Sequence, residues 1–160
     1  QGLTNGASPM GAVFASRKVH DALMQGPDNA IDLFHGYTYS GHPLACAAAI
    51  ATLDTYAEEN LFDKAIELGD YWQEGIHSLK GLPNVIDIRN YGLIGAIELA
   101  ARPGAPGTRG YDAFNRAFNQ GNLLTRVTGD TIALSPPLIV EKSHIDRIFE
   151  TLADTLRATA

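Results

Sequence analysis

An α+β fold, α/β overall, is what this sequence predicts, and three observations carry it. From residue 60 onward the hydrophobic periodicities read helix, strand, strand, helix, strand, strand, helix, an order that packs as an antiparallel sheet with helices on one side. The composition turns at about Glu58, which divides the chain into residues 1–58 and a complete α+β domain at 59–160. With 160 residues, 45% of them hydrophobic, there is enough apolar surface to bury a core.

The elements follow in chain order. Residues 3–10 are rich in turn formers and lead into the apolar run GAVFAS at 11–16, which reads as a short buried strand in need of neighbours. Residues 17–25 have mixed helical spacing and end at Gly26-Pro27. Pro43 opens an alanine-rich helix to about Glu58; it carries Leu44, Ala48, Ile50 and Leu53 and is apolar nearly all round, so it is expected to be buried or at an interface. Asn60 to Asp63 resembles a capping box, and Leu61, Ala65, Leu68, Trp72, Ile76 and Leu79 then recur at helical spacing. One amphipathic helix is expected there, with Trp72 in its core stripe and Gly81 and Pro83 as the stop.

Residues 85–89 alternate and residues 93–99 are largely apolar, giving two strands around Asn90-Tyr91-Gly92. A Gly- and Pro-rich loop follows, then a helix over 111–120. Residues 123–127 and 131–135 are expected to be strands around the turn Thr128-Gly129-Asp130. Ser143 and Asp146 repeat the capping pattern ahead of a last helix whose apolar face holds Ile145, Ile148, Phe149, Leu152 and Leu156.

The stretch with the look of a ligand site is 34–43, Phe34-His35-Gly36-Tyr37-Thr38-Tyr39-Ser40-Gly41-His42-Pro43. Its glycines free the backbone, Thr38 and Ser40 offer hydroxyls, and His42 falls near the N-cap of a helix whose first N–H groups would point into the loop, a seat for an anion. Gly, Ser and Thr before a helix are also ordinary turn chemistry; the aromatic spacing of Phe34, Tyr37 and Tyr39 is what suggests a lined pocket or a subunit contact.

Several classes of partner are disfavoured. Net charge −6 without a basic run argues against nucleic acid and anionic membranes. No stretch approaches the roughly 20 apolar residues that span a bilayer. Cys46 stands alone, so no internal disulfide forms, and a cytoplasmic location is expected. His35, His42, His77 and His144 lack metal-ligand spacing; no metal site is expected.

Four segments together carry a resemblance: LTNGASPMGAVFAS at 3–16, HGYTYSGHPLACAAA at 35–49, NYGLIGAIEL at 90–99 and TRVTGDTIALSPPL at 125–138. In this order they resemble the C-terminal portion of class III pyridoxal-phosphate (PLP) aminotransferases, closest to the ω-amino acid or β-alanine:pyruvate transaminases. The resemblance implies that 59–160 is the small domain of the PLP-dependent transferase fold and 1–58 a remnant of the large PLP-binding domain with an interface loop and linking helix.

It also implies roles for single residues. Tyr37 and Thr38 match the pair that reaches across the dimer interface, Thr38 toward the phosphate of the partner subunit's PLP. Arg126 matches the mobile arginine that pairs with the substrate carboxylate, a task suited to a planar two-pronged guanidinium; read without the resemblance, Arg126 is a strand-end salt bridge. The family's Schiff-base lysine lies four residues before the Asn of the LTNG-like motif, where this chain has Gln1. Gln1 is either a Lys→Gln replacement or, the preferred reading, part of a Gln-Gly remnant of a cleaved expression tag. No catalytic residue is therefore assigned.

The expected function is that of the C-terminal part of a PLP-dependent transaminase, acting as a homodimer or higher homo-oligomer, that passes an amino group from an ω-amino acid or amine to pyruvate. This stretch by itself is expected to be inactive. The alternative is a non-catalytic dimerisation or interaction domain derived from the same fold.

Overall fold

Regular structure in the computed structural model, which describes residues 2–29 and 37–159, begins just after Ser16. The Ser16 hydroxyl accepts from the Val19 N–H and caps α1 (Arg17–Leu23). Helix α2 (Pro43–Glu58) opens with a proline, which has no N–H to leave unpaired, and His42 caps it. Contacts divide the chain into two units, Gln1–Glu59 and Asn60–Ala160.

In the first unit, Tyr56 of α2 donates its hydroxyl to the Gly2 carbonyl at 2.6 Å, and the Thr4 hydroxyl closes its own turn on the Ser8 carbonyl. The expected buried strand at 11–16 is not formed. Val13 is 97% and Phe14 93% exposed, because a strand is held by a neighbour's N–H and C=O groups and none of the described residues supplies one. Helix α2 is also less enclosed than expected: Ala45, Ala49 and Thr52 form one buried stripe, while Leu44, Ile50 and Leu53 are exposed.

The second unit contains α3 (Leu61–Glu67), α4 (Gly69–His77), β1 (Val85–Tyr91), β2 (Ile94–Leu99), α5 (Thr108–Gly121), β3 (Arg126–Thr128), β4 (Thr131–Leu134) and α6 (Lys142–Ala158). The four strands form one antiparallel sheet in the order β1-β2-β4-β3, so β4 lies inside and β3 at an edge. Strand alternation sends Ile97, Leu99, Ile132 and Leu134 to the helical side, where they join Trp72 and Ile76 of α4 and Phe149 and Leu152 of α6 in one core. Trp72 is fully buried, its ring centroid 5.0 Å from that of Phe149. The α+β architecture is thus observed.

Five local expectations need correction. The single helix over 61–79 is two: Leu68 (φ −84°, ψ −10°) ends α3 and Gly69, a poor helix former, starts α4. Asn60 takes the left-handed region (φ 51°) and makes no side-chain cap, which requires an extended backbone. The first hairpin turns at Gly92 (φ 51°) and Leu93, with Tyr91 paired to Ile94, one residue later than 90–92. Strand β3 is shorter than 123–127 because Asn122 (φ 52°) and the Leu123 N–H, which returns to the Ala117 carbonyl at 2.9 Å, are spent on the exit from α5. At α6 the cap is Glu141, with its N–H donated to His144 Nδ1 at 3.2 Å, while Asp146 accepts instead from the Tyr71 hydroxyl.

Candidate functional site

The segment 37–42 is a turn that runs directly into α2. The Ser40 N–H donates to the Tyr37 carbonyl at 3.0 Å and the His42 N–H to that of Tyr39 at 3.2 Å. Gly41 takes a positive φ (71°), as its residue type allows, and so does Tyr37 (φ 80°), which costs a side-chain-bearing residue about 1–3 kcal/mol. Nothing in the sequence marked Tyr37 for that conformation. Strain of this kind collects where surrounding structure needs a side chain held in one place. Phe34, His35 and Gly36 lie outside the described residues.

Tyr37, Thr38 and Ser40 line an open cavity of about 730 Å³, whose other wall includes Ser8, Met10 and Cys46. The hydroxyls of Thr38 and Ser40 are exposed and make no side-chain hydrogen bond among the described residues, so both are available to a ligand. The expected supply of helix N–H groups is smaller than the sequence suggested. Pro43 carries none, the Ala45 N–H goes to His42 Nδ1 at 3.3 Å, and the His42 N–H is used in the turn. Leu44 is the remaining position of the first turn. The donor set suits a phosphate through hydroxyls more than through the helix end. Among its lining residues the cavity has no lysine and no carboxylate, so the described residues fit the phosphate of PLP but not its aldehyde or its ring nitrogen. Gln1 lies outside the described residues.

Arg126 belongs to the second unit and opens β3. In the ladders it stands opposite Ala133, Ala133 opposite Ala96, and Ala96 opposite Arg89, so these four residues form one row across the sheet. Their neighbours Val127, Ile132 and Ile97 turn inward, which puts the row on the face away from the helices. At the far end Arg89 is paired with Asp87 and, at 2.9 Å, with Glu98, which hold its guanidinium pKa up, Asp87 most. Asp87 and Glu98 are thus an ion cluster around one arginine. Arg126 is exposed and forms no ion pair among the described residues, so the salt bridge that its residue type suggested has no partner there.

One residue that sequence reading took only for a turn former does more. Asp130 Oδ2 accepts from the Gly107 N–H at 2.6 Å and Oδ1 from the Gly110 N–H at 2.9 Å, capping α5 from 20 residues or more away, while its carbonyl accepts from Leu99 at 2.9 Å. These bonds, that to Gly107 first, lower the Asp130 pKa from the ordinary carboxylate value against the opposing effect of burial. The only available signal was a glycine on each side of an otherwise uncapped helix start.

The class III aminotransferase family model matches residues 1–156. The chain belongs to the class III aminotransferases. It is 58% identical over 156 residues to an omega-aminotransferase of Caulobacter vibrioides, covering 98% of this chain and 35% of that protein. It is 43% identical over 160 residues to the beta-alanine–pyruvate aminotransferase of Pseudomonas aeruginosa, covering 99% of this chain and 36% of that protein. Among solved structures, one from the directed evolution of transaminases by ancestral reconstruction superposes with a TM-score of 0.89 at 31% identity, covering 99% of this chain and 36% of the other. A transaminase from the marine bacterium Virgibacillus gives 0.85 at 29% identity, with 98% and 37% covered. The class III aminotransferases are PLP-dependent. The chain spans about a third of the length of the curated relatives it matches.

Proposed function

We propose that this chain is the C-terminal part of a cytoplasmic class III transaminase, a homodimer or higher homo-oligomer, that moves an amino group from an ω-amino acid or amine to pyruvate. The observation that carries the reading is Arg126, a guanidinium with no ion pair among the described residues on an open sheet face with alanines beside it, in a chain whose relatives include aminotransferases named for pyruvate. In water-excluded surroundings such a group binds a planar carboxylate through two parallel hydrogen bonds, which sets the keto acid in one orientation. Thr38, with Tyr37 holding the turn, would take the phosphate of PLP, and Ser40 offers a second hydroxyl. When bound, PLP supplies the electron-withdrawing ring that makes the proton on the amino-bearing carbon removable. The 160 residues alone would be silent in transamination, because the turn's cavity offers neither a lysine nor a carboxylate among the described residues.

The test is direct. The full-length protein, incubated with PLP, β-alanine and pyruvate, should form alanine. Thr38→Ala should lower its affinity for PLP roughly tenfold, as loss of one charge-assisted hydrogen bond does. Absence of alanine formation with any ω-amino acid or amine donor would refute the reaction, and unchanged PLP affinity would refute the role of Thr38.

A further inference from the structure

Strand β3, which carries Arg126, has little to hold it. It is three residues long, lies at the sheet edge and pairs with β4 alone, through Arg126–Ala133, Val127–Ile132 and Thr128–Thr131. On its N-terminal side, residues 122–125 belong to no regular element, and the Thr125 hydroxyl is buried without a hydrogen-bond partner among the described residues. On its C-terminal side the turn is fixed at several points. Asp130 grips the Gly107 and Gly110 N–H groups with its two carboxylate oxygens and the Leu99 N–H with its carbonyl. The fit is close: a methyl group at Gly110 would lie 2.4 Å from the Gly129 carbonyl oxygen and 3.0 Å from Val127 Cγ1. The strand is therefore held most firmly at its C-terminal end, and Arg126 stands at the other.

We infer that Asp130 is a positioning residue for Arg126: its carboxylate ties the β3–β4 turn to the start of α5 and so fixes where the guanidinium fork stands on the open face of the sheet. Both oxygens are needed. The Gly107 and Gly110 N–H groups bond one oxygen each and the Arg109 N–H also faces the carboxylate; an asparagine offers them one acceptor and one further donor, so at least one of these bonds becomes a donor–donor contact. A shift of a fraction of an ångström at the turn then reaches Arg126 through three ladder pairs, and upstream the nearest tether is Leu123, three residues away, whose N–H is bonded to the Ala117 carbonyl at 2.9 Å. Carboxylate recognition depends on such placement more than on charge, because a two-pronged bond is directional.

The inference rests on the reading of Arg126 as the carboxylate-binding residue, and the experiment separates the two. In the full-length protein, kcat/KM is measured with pyruvate and with an aldehyde acceptor that has no carboxylate, for the wild type, Asp130→Asn, Asp130→Ser and Arg126→Ala. The ratio between acceptors is taken within each preparation, so any loss of folded protein cancels. Asp130→Asn and Asp130→Ser should lower the pyruvate-to-aldehyde ratio roughly three- to tenfold through KM for pyruvate, with kcat held. If Arg126→Ala lowers the ratio and both Asp130 variants leave it unchanged, Asp130 merely stabilises the fold and the inference is overturned alone. If Arg126→Ala leaves the ratio unchanged, the reading of Arg126 falls and the inference with it.

Discussion

Arg126 faces Ala133 directly across the β3–β4 ladder, on the face of the sheet turned away from the core. A methyl group there neither shields the guanidinium nor pairs with it. Directly opposed side chains on one sheet face have Cβ atoms about 4.5–5.5 Å apart, within reach of an ion pair. Ala133→Glu should therefore supply Arg126 with an internal carboxylate. The hairpin should gain about 0.2–1 kcal/mol while KM for pyruvate rises; thermal melts and steady-state kinetics on the full-length protein check both directions.

Gly110→Ala tests the close approach of α5 to the second hairpin. The added methyl group would meet backbone, the Gly129 oxygen at 2.4 Å and the Asp130 Cα at 2.9 Å, which cannot swing aside as a side-chain end can. A loss of about 1–3 kcal/mol is expected in urea unfolding of the 160-residue chain. Gly81→Ala, with open space around it but a φ of 87°, should cost less and only through backbone strain.

Asp130 also gives stability a pH dependence. Its folded-state pKa is lowered, so the unfolded chain binds the proton more tightly; the stabilisation is complete above the unfolded carboxylate pKa of about 3.9 and is lost as pH falls through the folded value. The backbone N–H and the charge of Arg109 add to the lowering. Asp130→Asn should flatten the acid limb of a plot of stability against pH below about pH 4, where wild type declines. Equal slopes for the two proteins would contradict the carboxylate cap.

Trp72 is the single tryptophan and is fully buried, so its emission follows unfolding of the second unit. Its indole nitrogen has no hydrogen-bond partner among the described residues. Trp72→Ala should cost about 3–5 kcal/mol, as large core truncations do. Trp72→Phe should cost far less, because it keeps much of the packing on Phe149 and removes an unsatisfied donor; far-UV melts of both variants give the comparison.

Where periodicity is strong and packing local, the sequence was legible. The second unit's order of elements apart from the break between α3 and α4, Trp72 in the core, α2 from Pro43 to Glu58 and His42 as its cap all follow from spacing, proline and N-cap chemistry. Errors arose where a distant residue decided the outcome. The 11–16 run has strand composition without a neighbour to pair with, and Asn60 has a capping side chain on a left-handed backbone. The Asp130 cap joins positions 20 or more residues apart, which no local pattern encodes. At the candidate site, the hydroxyls of Thr38 and Ser40 were legible as residue types, whereas the strained Tyr37 and the near-complete use of the helix N–H groups were not.

The measurement that tests the account most directly is the acceptor specificity of Arg126→Ala and Arg126→Lys in the full-length protein. A charge-assisted hydrogen bond contributes about 1.5–3 kcal/mol, so Arg126→Ala should raise KM for pyruvate roughly tenfold to a hundredfold and leave an aldehyde acceptor nearly untouched. Arg126→Lys should fall between, since it restores charge without the planar fork. Equal losses with both acceptors, accompanied by a lowered melting temperature, would contradict the account and make Arg126 a structural residue.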